Sequence, residues 1–162
     1  MKRSASLLFI LTSFGLTILS CDNLNTKVPA SEIKKASNWS KADQYPTFTD
    51  CQGMEGKEAQ QCFGDVLGES VSSYIYSQEL VANRSIDSEI ILVIEVNKEG
   101  TISLSSIEDP NYVLSDVSGL EGILEQALEQ SPKALPAVKT NADTAVTVSI
   151  KLPVQIIASA AE

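Results

Sequence analysis

Apolar residues recur along the chain with two different periods, and these periods predict its helices and strands. Over Glu58–Tyr76 they follow helical spacing and form one apolar face. Gly64 and Gly68 each weaken that helix by roughly 1 kcal/mol relative to alanine, so tertiary packing must hold it. Glu89–Asn97 and Thr101–Ile107 instead alternate apolar and polar residues around a short turn that ends in glycine. This pattern predicts a β-hairpin.

The second half of the chain repeats the change from helical to strand spacing. Leu120–Leu128 has the spacing of an amphipathic helix, which Ser131-Pro132 ends. Ala145–Ile157 alternates like a strand. Pro153 cannot donate to a ladder, so this strand either has an exposed edge or ends its central pairing there. The order helix-strand-strand-helix-strand predicts an α+β fold, with a small antiparallel three-stranded sheet packed against two helices.

The first 20 residues are typical of a secretory signal peptide. Lys2 and Arg3 precede the apolar run Leu7–Leu19, which is shorter than the roughly 20 residues that span a bilayer. Ile18-Leu19-Ser20-Cys21 resembles a bacterial lipobox, which implies cleavage before Cys21, a thioether lipid on its sulfur and acylation of its amine. The alternative is an ordinary signal peptide followed by an incidental cysteine. The lipobox interpretation predicts a lipoprotein of the cell envelope, anchored in the inner or outer membrane and facing the periplasm or the cell surface.

The pattern of apolar and polar residues divides the remaining chain into a tether, a domain and a short tail. Residues 21–45 are polar and lack a periodic apolar pattern, so we interpret them as the lipidated N-terminus and a flexible tether. Trp39 is the one large apolar group of that stretch, and we expect it to dock on the domain rather than to bind a ligand. The domain is predicted to span 46–158, and 159–162 form a tail.

Charge and composition exclude several classes of function. The full chain has 12 basic and 21 acidic residues and no histidine. Without Lys2 and Arg3, 10 basic and 21 acidic residues remain, a net charge of −11. Such a surface repels nucleic acid and favours a basic protein partner. The lack of histidine removes the commonest general base and the commonest zinc ligand, and we expect neither a cofactor nor a metal.

Two cysteines remain once Cys21 carries lipid. Cys51 and Cys62 are an even pair in an oxidising compartment, where a disulfide is the expected state. Such a bond would stabilise the fold by roughly 2–3 kcal/mol on the chain-entropy estimate. Two unpaired thiols or a metal pair are the alternatives.

Several segments between residues 45 and 157 together resemble one bacterial family. They are Tyr45–Cys51, Gln61–Phe63, Tyr76, the hairpin Val93–Ile102, Ser131-Pro132 with Pro136, and Ile150–Ile156. In order and spacing they resemble TonB C-terminal-like domains, in the version common in Bacteroidetes. The resemblance implies the same α+β fold and a mechanism in which an extended peptide of an outer-membrane receptor adds as a strand to the sheet edge. A TonB transducer has a transmembrane helix and a long rod, whereas this chain has a lipid and a short tether.

The last predicted strand is the candidate binding edge. Strand addition requires an unpaired edge, and the stretch Ala145–Leu152 is β-branched and ends at Pro153. The candidate peptide-binding residues are Val146, Val148, Ser149, Ile150 and Leu152. The predicted function is therefore a lipid-anchored interaction module that binds a partner peptide or an envelope protein, with an outer-membrane transporter as one candidate partner.

Other interpretations of the chain stay open from its sequence. The edge is alternatively covered or paired with itself in a homodimer, and the protein is alternatively a structural envelope lipoprotein. The spacing of Ser31 and Lys34 matches that of some acyl-transferring serines, but it lies in the tether without companion motifs, so an enzyme is not expected. Asp65 and Glu69 lie at helical spacing, which on an acidic protein is typical of a solvated face rather than of acid–base catalysis.

Overall fold

Helix α1, Gly56–Tyr76, is the main helical element of the computed structural model, which describes residues 39–40 and 42–160. A short helix α2, Val113–Asp116, precedes helix α3, Leu120–Glu129. Both predicted helices are thus confirmed as α1 and α3. Apolar side chains three and four residues apart form one buried stripe on each of them. The buried residues are Ala59, Phe63, Leu67, Val71 and Ile75 on α1, and Leu120, Leu124, Ala127 and Leu128 on α3.

Strands within the described residues form two sheets. The strands are β1 (Val81–Ala82), β2 (Ile86–Val96), β3 (Ile102–Glu108), β4 (Ala137–Lys139), β5 (Thr144–Val146) and β6 (Val148–Ala160). Four of them form the main sheet in the order β1-β6-β2-β3, in which β2 is antiparallel to both β6 and β3. β1 runs parallel to the end of β6, and β4 pairs with β5 in a separate sheet. The fold is therefore α+β with a mixed main sheet.

The predicted three-stranded antiparallel sheet corresponds to β6-β2-β3, but the predicted number of strands is wrong. β1 has only two residues, too few for an alternating pattern to be visible in the sequence. The predicted strand Ala145–Ile157 is two strands, because the chain changes its pairing partner at Thr147. β5 pairs with β4, whereas β6 pairs with β2. Alternation continues through both strands, so periodicity does not reveal the change of partner.

The helices cover one face of the main sheet, and the other face carries polar and charged side chains together with Ile91, Val93 and Ile157. Every second residue over Ile90–Val96 of β2 and Leu152–Ala158 of β6 is buried on the helix side. These residues are Ile90, Leu92, Ile94, Val96, Leu152, Val154, Ile156 and Ala158. On the opposite face Lys151 forms a salt bridge with Glu108, and Gln155 donates to Asp87 at 2.6 Å. In β6, even-numbered side chains therefore face the helices and odd-numbered side chains face outward.

The hairpin between β2 and β3 is closed by a turn that only glycine fits. The Asn97 side-chain oxygen accepts hydrogen bonds from the backbone N–H groups of Glu99 and Thr101. Gly100 has a φ of 78°, and a Cβ at this position would lie 1.8 Å from the carbonyl oxygen of Ala134. The predicted hairpin is confirmed, and its turn packs directly against the loop before β4.

Residues 39–48 pack on the domain. Gln44 pairs with Val138, and Thr47 with Leu135, as isolated antiparallel bridges. The compact unit accordingly begins at Trp39, so residues 39–45, which the sequence analysis assigned to the tether, are part of the domain. These residues lack periodicity because their contacts come from single bridges and not from a continuous strand.

The predicted signal segment 1–20, the lipidation site Cys21 and the tether as far as residue 38 lie outside the described residues. Within residues 39–160, no helix combines the length and the apolar character that crossing a membrane requires.

Candidate functional site

A groove of about 700 Å³ runs between helix α1 and strand β6. One wall is α1 from Gln60 to Glu69, and the other is β6 from Ser149 to Pro153. Tyr45 and Pro46 form a third wall. The groove thus lies along the strand that the sequence analysis selected as the binding edge.

The edge of β6 beside the groove has no strand partner among the described residues. β6 pairs with β2 from Val148 to Ala158, while β1 reaches its other side only at Ser159 and Ala160. The pairing with β2 continues through Pro153, which lies opposite Ile91. Of the two alternatives for this strand, an exposed edge is therefore the correct one.

Pro153 also shows which backbone groups point into the groove. A proline nitrogen has no hydrogen, so it fits a continuous antiparallel ladder only where it faces away from the paired strand. Backbone direction alternates along a strand. The N–H groups of Ser149 and Lys151 therefore face the open side, as do the carbonyl groups of these two residues and of Pro153. Pro153 offers no N–H, so the ladder available to an added strand is interrupted there.

Two glycines keep the helical wall of the groove low. Gly64 and Gly68 lie one turn apart on α1 and both line the groove. A Cβ at Gly64 would meet nothing within 4 Å, and one at Gly68 would lie 3.9 Å from Cδ1 of Leu152. Neither glycine is required by crowding within the domain. Their effect is to leave open space between the helix and the free strand edge.

The rim of the groove carries negative charge. Asp65 and Glu69 line it from α1, and both are exposed. Lys151 lines the opposite wall, but its ammonium group is bonded to Glu108 on the outer face of the sheet. The groove therefore combines an apolar floor, an unpaired strand edge and an acidic rim.

A disulfide holds the segment that carries the third wall of the groove, Tyr45 and Pro46, against α1. Cys51 and Cys62 are joined, with Cα atoms 5.9 Å apart, which confirms the expected pair. Next to it, the Phe48 ring stacks on Phe63 with centroids 4.7 Å apart and planes 4° from parallel. The bond and the stacked rings fix the segment that contains Tyr45 to the start of the helix.

Asp43 anchors the N-terminal segment to the end of β4. Its carboxylate accepts hydrogen bonds from the backbone N–H of Ser40 at 2.7 Å and from Lys139 Nζ at 3.0 Å. The Thr140 backbone N–H and hydroxyl group both donate to it at 3.1 Å. The Ser40 N–H is the largest influence and, with Lys139 and Thr140, holds the pKa of Asp43 well below its ordinary value, against the opposing effect of burial.

Trp39 completes this anchor. Its ring stacks on Tyr45 with centroids 4.5 Å apart, and Lys139 Nζ lies 4.3 Å from the centre of the Trp39 ring. Trp39 thus docks on the domain, as predicted. We call Trp39, Ser40, Asp43, Lys139 and Thr140 the N-terminal clasp. Tyr45 stacks on Trp39 of the clasp and also lines the groove. The clasp therefore holds one lining residue of the groove in position.

The structure brings four of the five predicted edge residues together. Ser149, Ile150 and Leu152 line the groove, and Val148 begins the same strand. Val146 is the exception, because it lies in β5 opposite Ala137 and not in β6. Its assignment to the edge is therefore wrong, for the same reason that the predicted strand was too long.

Sequence reasoning missed the helical wall of the site. The signal was present, since a glycine repeated after four residues inside an amphipathic helix calls for a packing or functional reason. From the sequence, Asp65 and Glu69 are predicted only to form a solvated face. Their exposure agrees with that interpretation, but their place beside an open strand edge depends on tertiary structure. Within the described residues, no group of three or more acidic or cysteine side chains could hold a metal ion.

Comparison of the chain with protein-family models, with curated proteins and with solved structures finds no match. The function of the groove is accordingly argued from its own geometry.

Proposed function

We propose that this protein is a lipid-anchored module of the cell envelope that binds an extended peptide segment by adding it as a strand to β6. The observation that carries the proposal is the unpaired edge at Ser149–Pro153, which lies beside an open groove. An added strand supplies the hydrogen-bond partners that this edge lacks. Main-chain bonds would give affinity, and the groove would select the side chains that face α1.

The walls of the groove support strand addition over the binding of a small molecule. Gly64 and Gly68 leave the helical wall without side chains at two positions, and the opposite wall is five consecutive residues of β6, so the space follows this strand. Its charged side chains are those of Asp65 and Glu69 and of Lys151, which is already paired with Glu108. A backbone ladder is therefore the main binding capacity that this site offers.

The lipid anchor and the relation to TonB C-terminal-like domains rest on sequence resemblance. The lipobox-like segment ending at Cys21 supports attachment to a membrane of the cell envelope. The order of the motifs between residues 46 and 157 supports a TonB C-terminal-like domain with an accessory role in TonB-dependent transport. The proposed partner is then a periplasmic segment of an outer-membrane transporter or of another envelope protein.

A pair of proline substitutions tests strand addition. Ser149→Pro removes an N–H that points from the unpaired edge of β6 into the groove. Ile157→Pro removes an N–H on the same edge of β6, but beyond Pro153 and outside the groove. Neither nitrogen takes part in the pairing with β2. Val148 is unsuitable for this purpose, because its N–H belongs to the side of β6 that pairs with β2.

The readout is photo-cross-linking in intact cells from a probe at Gln61 on the groove rim. We expect discrete adducts in the parent chain and in Ile157→Pro, and their loss in Ser149→Pro. Equal adducts in both proline variants would contradict strand addition and favour a structural lipoprotein. The anchor is tested separately with Cys21→Ser, which should remove the protein from the membrane fraction and abolish incorporation of labelled palmitate.

A further inference from the structure

The groove beside β6 carries a negative charge that the described residues leave uncompensated. Asp65 and Glu69 are four residues apart on α1, a spacing at which like charges on a helix repel one another. The salt bridges of the described residues involve Arg84, Lys139 and Lys151, and none includes Asp65 or Glu69. Lys151 is the basic residue on the β6 wall of the groove, and its ammonium group is already paired with Glu108.

Each of the two carboxylates directly follows one of the glycines that leave the groove open. Asp65 directly follows Gly64, and Glu69 directly follows Gly68, so each open position on the helix has a carboxylate beside it. Every second side chain of an added strand faces α1 and must cross this floor. The floor itself is apolar, with Phe63, Leu67 and Leu152 among its lining residues.

We propose that the strand that adds to β6 carries lysine or arginine at positions facing α1, with Asp65 and Glu69 as counter-ions. This inference rests on the proposed function. A long basic side chain fits both parts of the site, because its methylene stem covers the apolar floor while its charged end reaches the rim. The net charge of −11 for residues 21–162 attracts such a partner before contact.

Three short peptides serve as probes of this preference. Each alternates valine with one other residue, which is lysine in the first, glutamine in the second and glutamate in the third. Binding to the purified full chain is followed by fluorescence anisotropy at several salt concentrations. We expect the lysine peptide to bind roughly tenfold more tightly than the glutamine peptide, a difference of about 1.4 kcal/mol that two exposed ion pairs can supply.

Two double variants separate the groove from the general charge of the protein. Asp65→Asn with Glu69→Gln removes the rim charges. Glu121→Gln with Glu125→Gln removes two exposed carboxylates at the same spacing on α3, outside the groove. The rim variant should bind the lysine and glutamine peptides equally and lose most of the salt dependence. The α3 variant should keep the preference of the parent chain.

The outcomes distinguish a failure of this inference from a failure of the proposed function. If all three peptides bind alike and Ser149→Pro abolishes binding, strand addition stands and the basic preference is overturned. If no peptide binds, or if Ser149→Pro leaves binding unchanged, strand addition fails and the inference fails with it. A dimer of the parent chain that Ser149→Pro converts to a monomer would identify a second copy as the occupant and would also overturn the inference.

Discussion

The two long edges of the main sheet are built differently. β3 meets β2 with a register shift between Val93 and Ile94, and its beginning is tied to the loop before β4, where the Ala134 N–H donates to the Gly100 carbonyl at 3.1 Å. β6 pairs with β2 without any shift from Val148 to Ala158, and its free side faces a groove. Bulges and covering loops are the devices by which proteins protect strand edges from pairing. β3 has both of these devices, and β6 has neither along Ser149–Leu152.

The open edge of β6 is therefore confined to one stretch of one strand, the stretch beside the groove. Within the described residues, Lys151 and Pro153 are the residues of that edge that oppose pairing, and Pro153 stands at the end of the groove. An edge that is regular beside the groove and interrupted after it limits where an added strand can pair.

The largest effect is expected at the turn that leads into β3. Gly100→Ala places a methyl group 1.8 Å from the Ala134 carbonyl oxygen and keeps a left-handed φ of 78°, so we expect a loss of about 3 kcal/mol in the free energy of unfolding. Gly53→Ala is the matched control, because Gly53 has a φ of 89° but nothing within 4 Å of its added Cβ. Denaturant unfolding measures both. Equal losses would contradict the claim that the loop covers this end of β3.

The disulfide supports the groove beside β6, because it links the segment that contains the Tyr45 wall to α1. Replacing Cys51 and Cys62 together by serine should lower the free energy of unfolding by about 2–3 kcal/mol. We also expect weaker peptide binding, because the segment containing Tyr45 loses its link to α1. A reducing agent should weaken the parent chain in the same way and leave the double variant unchanged. Peptide binding that is insensitive to both treatments would show that the wall stays in place without the bond.

The N-terminal clasp gives a pH-dependent contribution to stability. The pKa of Asp43 is lowered in the folded state, so its stabilisation is fully present above the unfolded-state pKa, near 3.9, and is lost as the pH falls toward the folded-state value. Asp43→Asn should therefore be less stable than the parent chain at pH 7. The difference should shrink progressively below about pH 4. A difference in denaturation midpoint that stays constant from pH 7 to pH 2 would contradict this assignment.

The smallest effect is a gain in stability that costs binding. Gly64→Ala should raise the free energy of unfolding by up to about 1 kcal/mol, because alanine is the better helix former and its Cβ meets nothing within 4 Å. The added methyl group narrows the groove, so peptide affinity should fall. Gly122→Ala in α3 also has open space at its Cβ and should give the same gain without any change in affinity. Equal peptide affinities in the two variants would show that Gly64 does not contribute to peptide binding.

Much of the fold follows from local patterns in the sequence. The periods of Glu58–Tyr76, Leu120–Leu128 and the hairpin appear because each element has one buried face and one exposed face. The short strand β1 and the change of partner at Thr147 do not appear, because they depend on which segments meet in space. For the same reason Val146 was placed on the wrong strand.

The candidate site was predicted only on its strand side. Pro153 is the local signal, since a proline inside an alternating strand indicates either an open edge or the end of the central pairing. The helical side depends on the packing of α1 against β6, which brings Gly68 close to Leu152. Glycines and carboxylates on a helix carry no information about which strand they will face, so the acidic rim could be recognised only in the structure.

Amide hydrogen exchange on β6 tests the central claim most directly. The measurement compares the full chain with and without the alternating valine–lysine peptide and resolves single amides by NMR spectroscopy. Strand addition predicts slower exchange of the Ser149 and Lys151 amides in the presence of the peptide. The Ile157 amide lies on the same edge of β6 but beyond the groove, so its exchange should not change. Peptide binding that leaves the Ser149 and Lys151 amides unprotected would contradict the account.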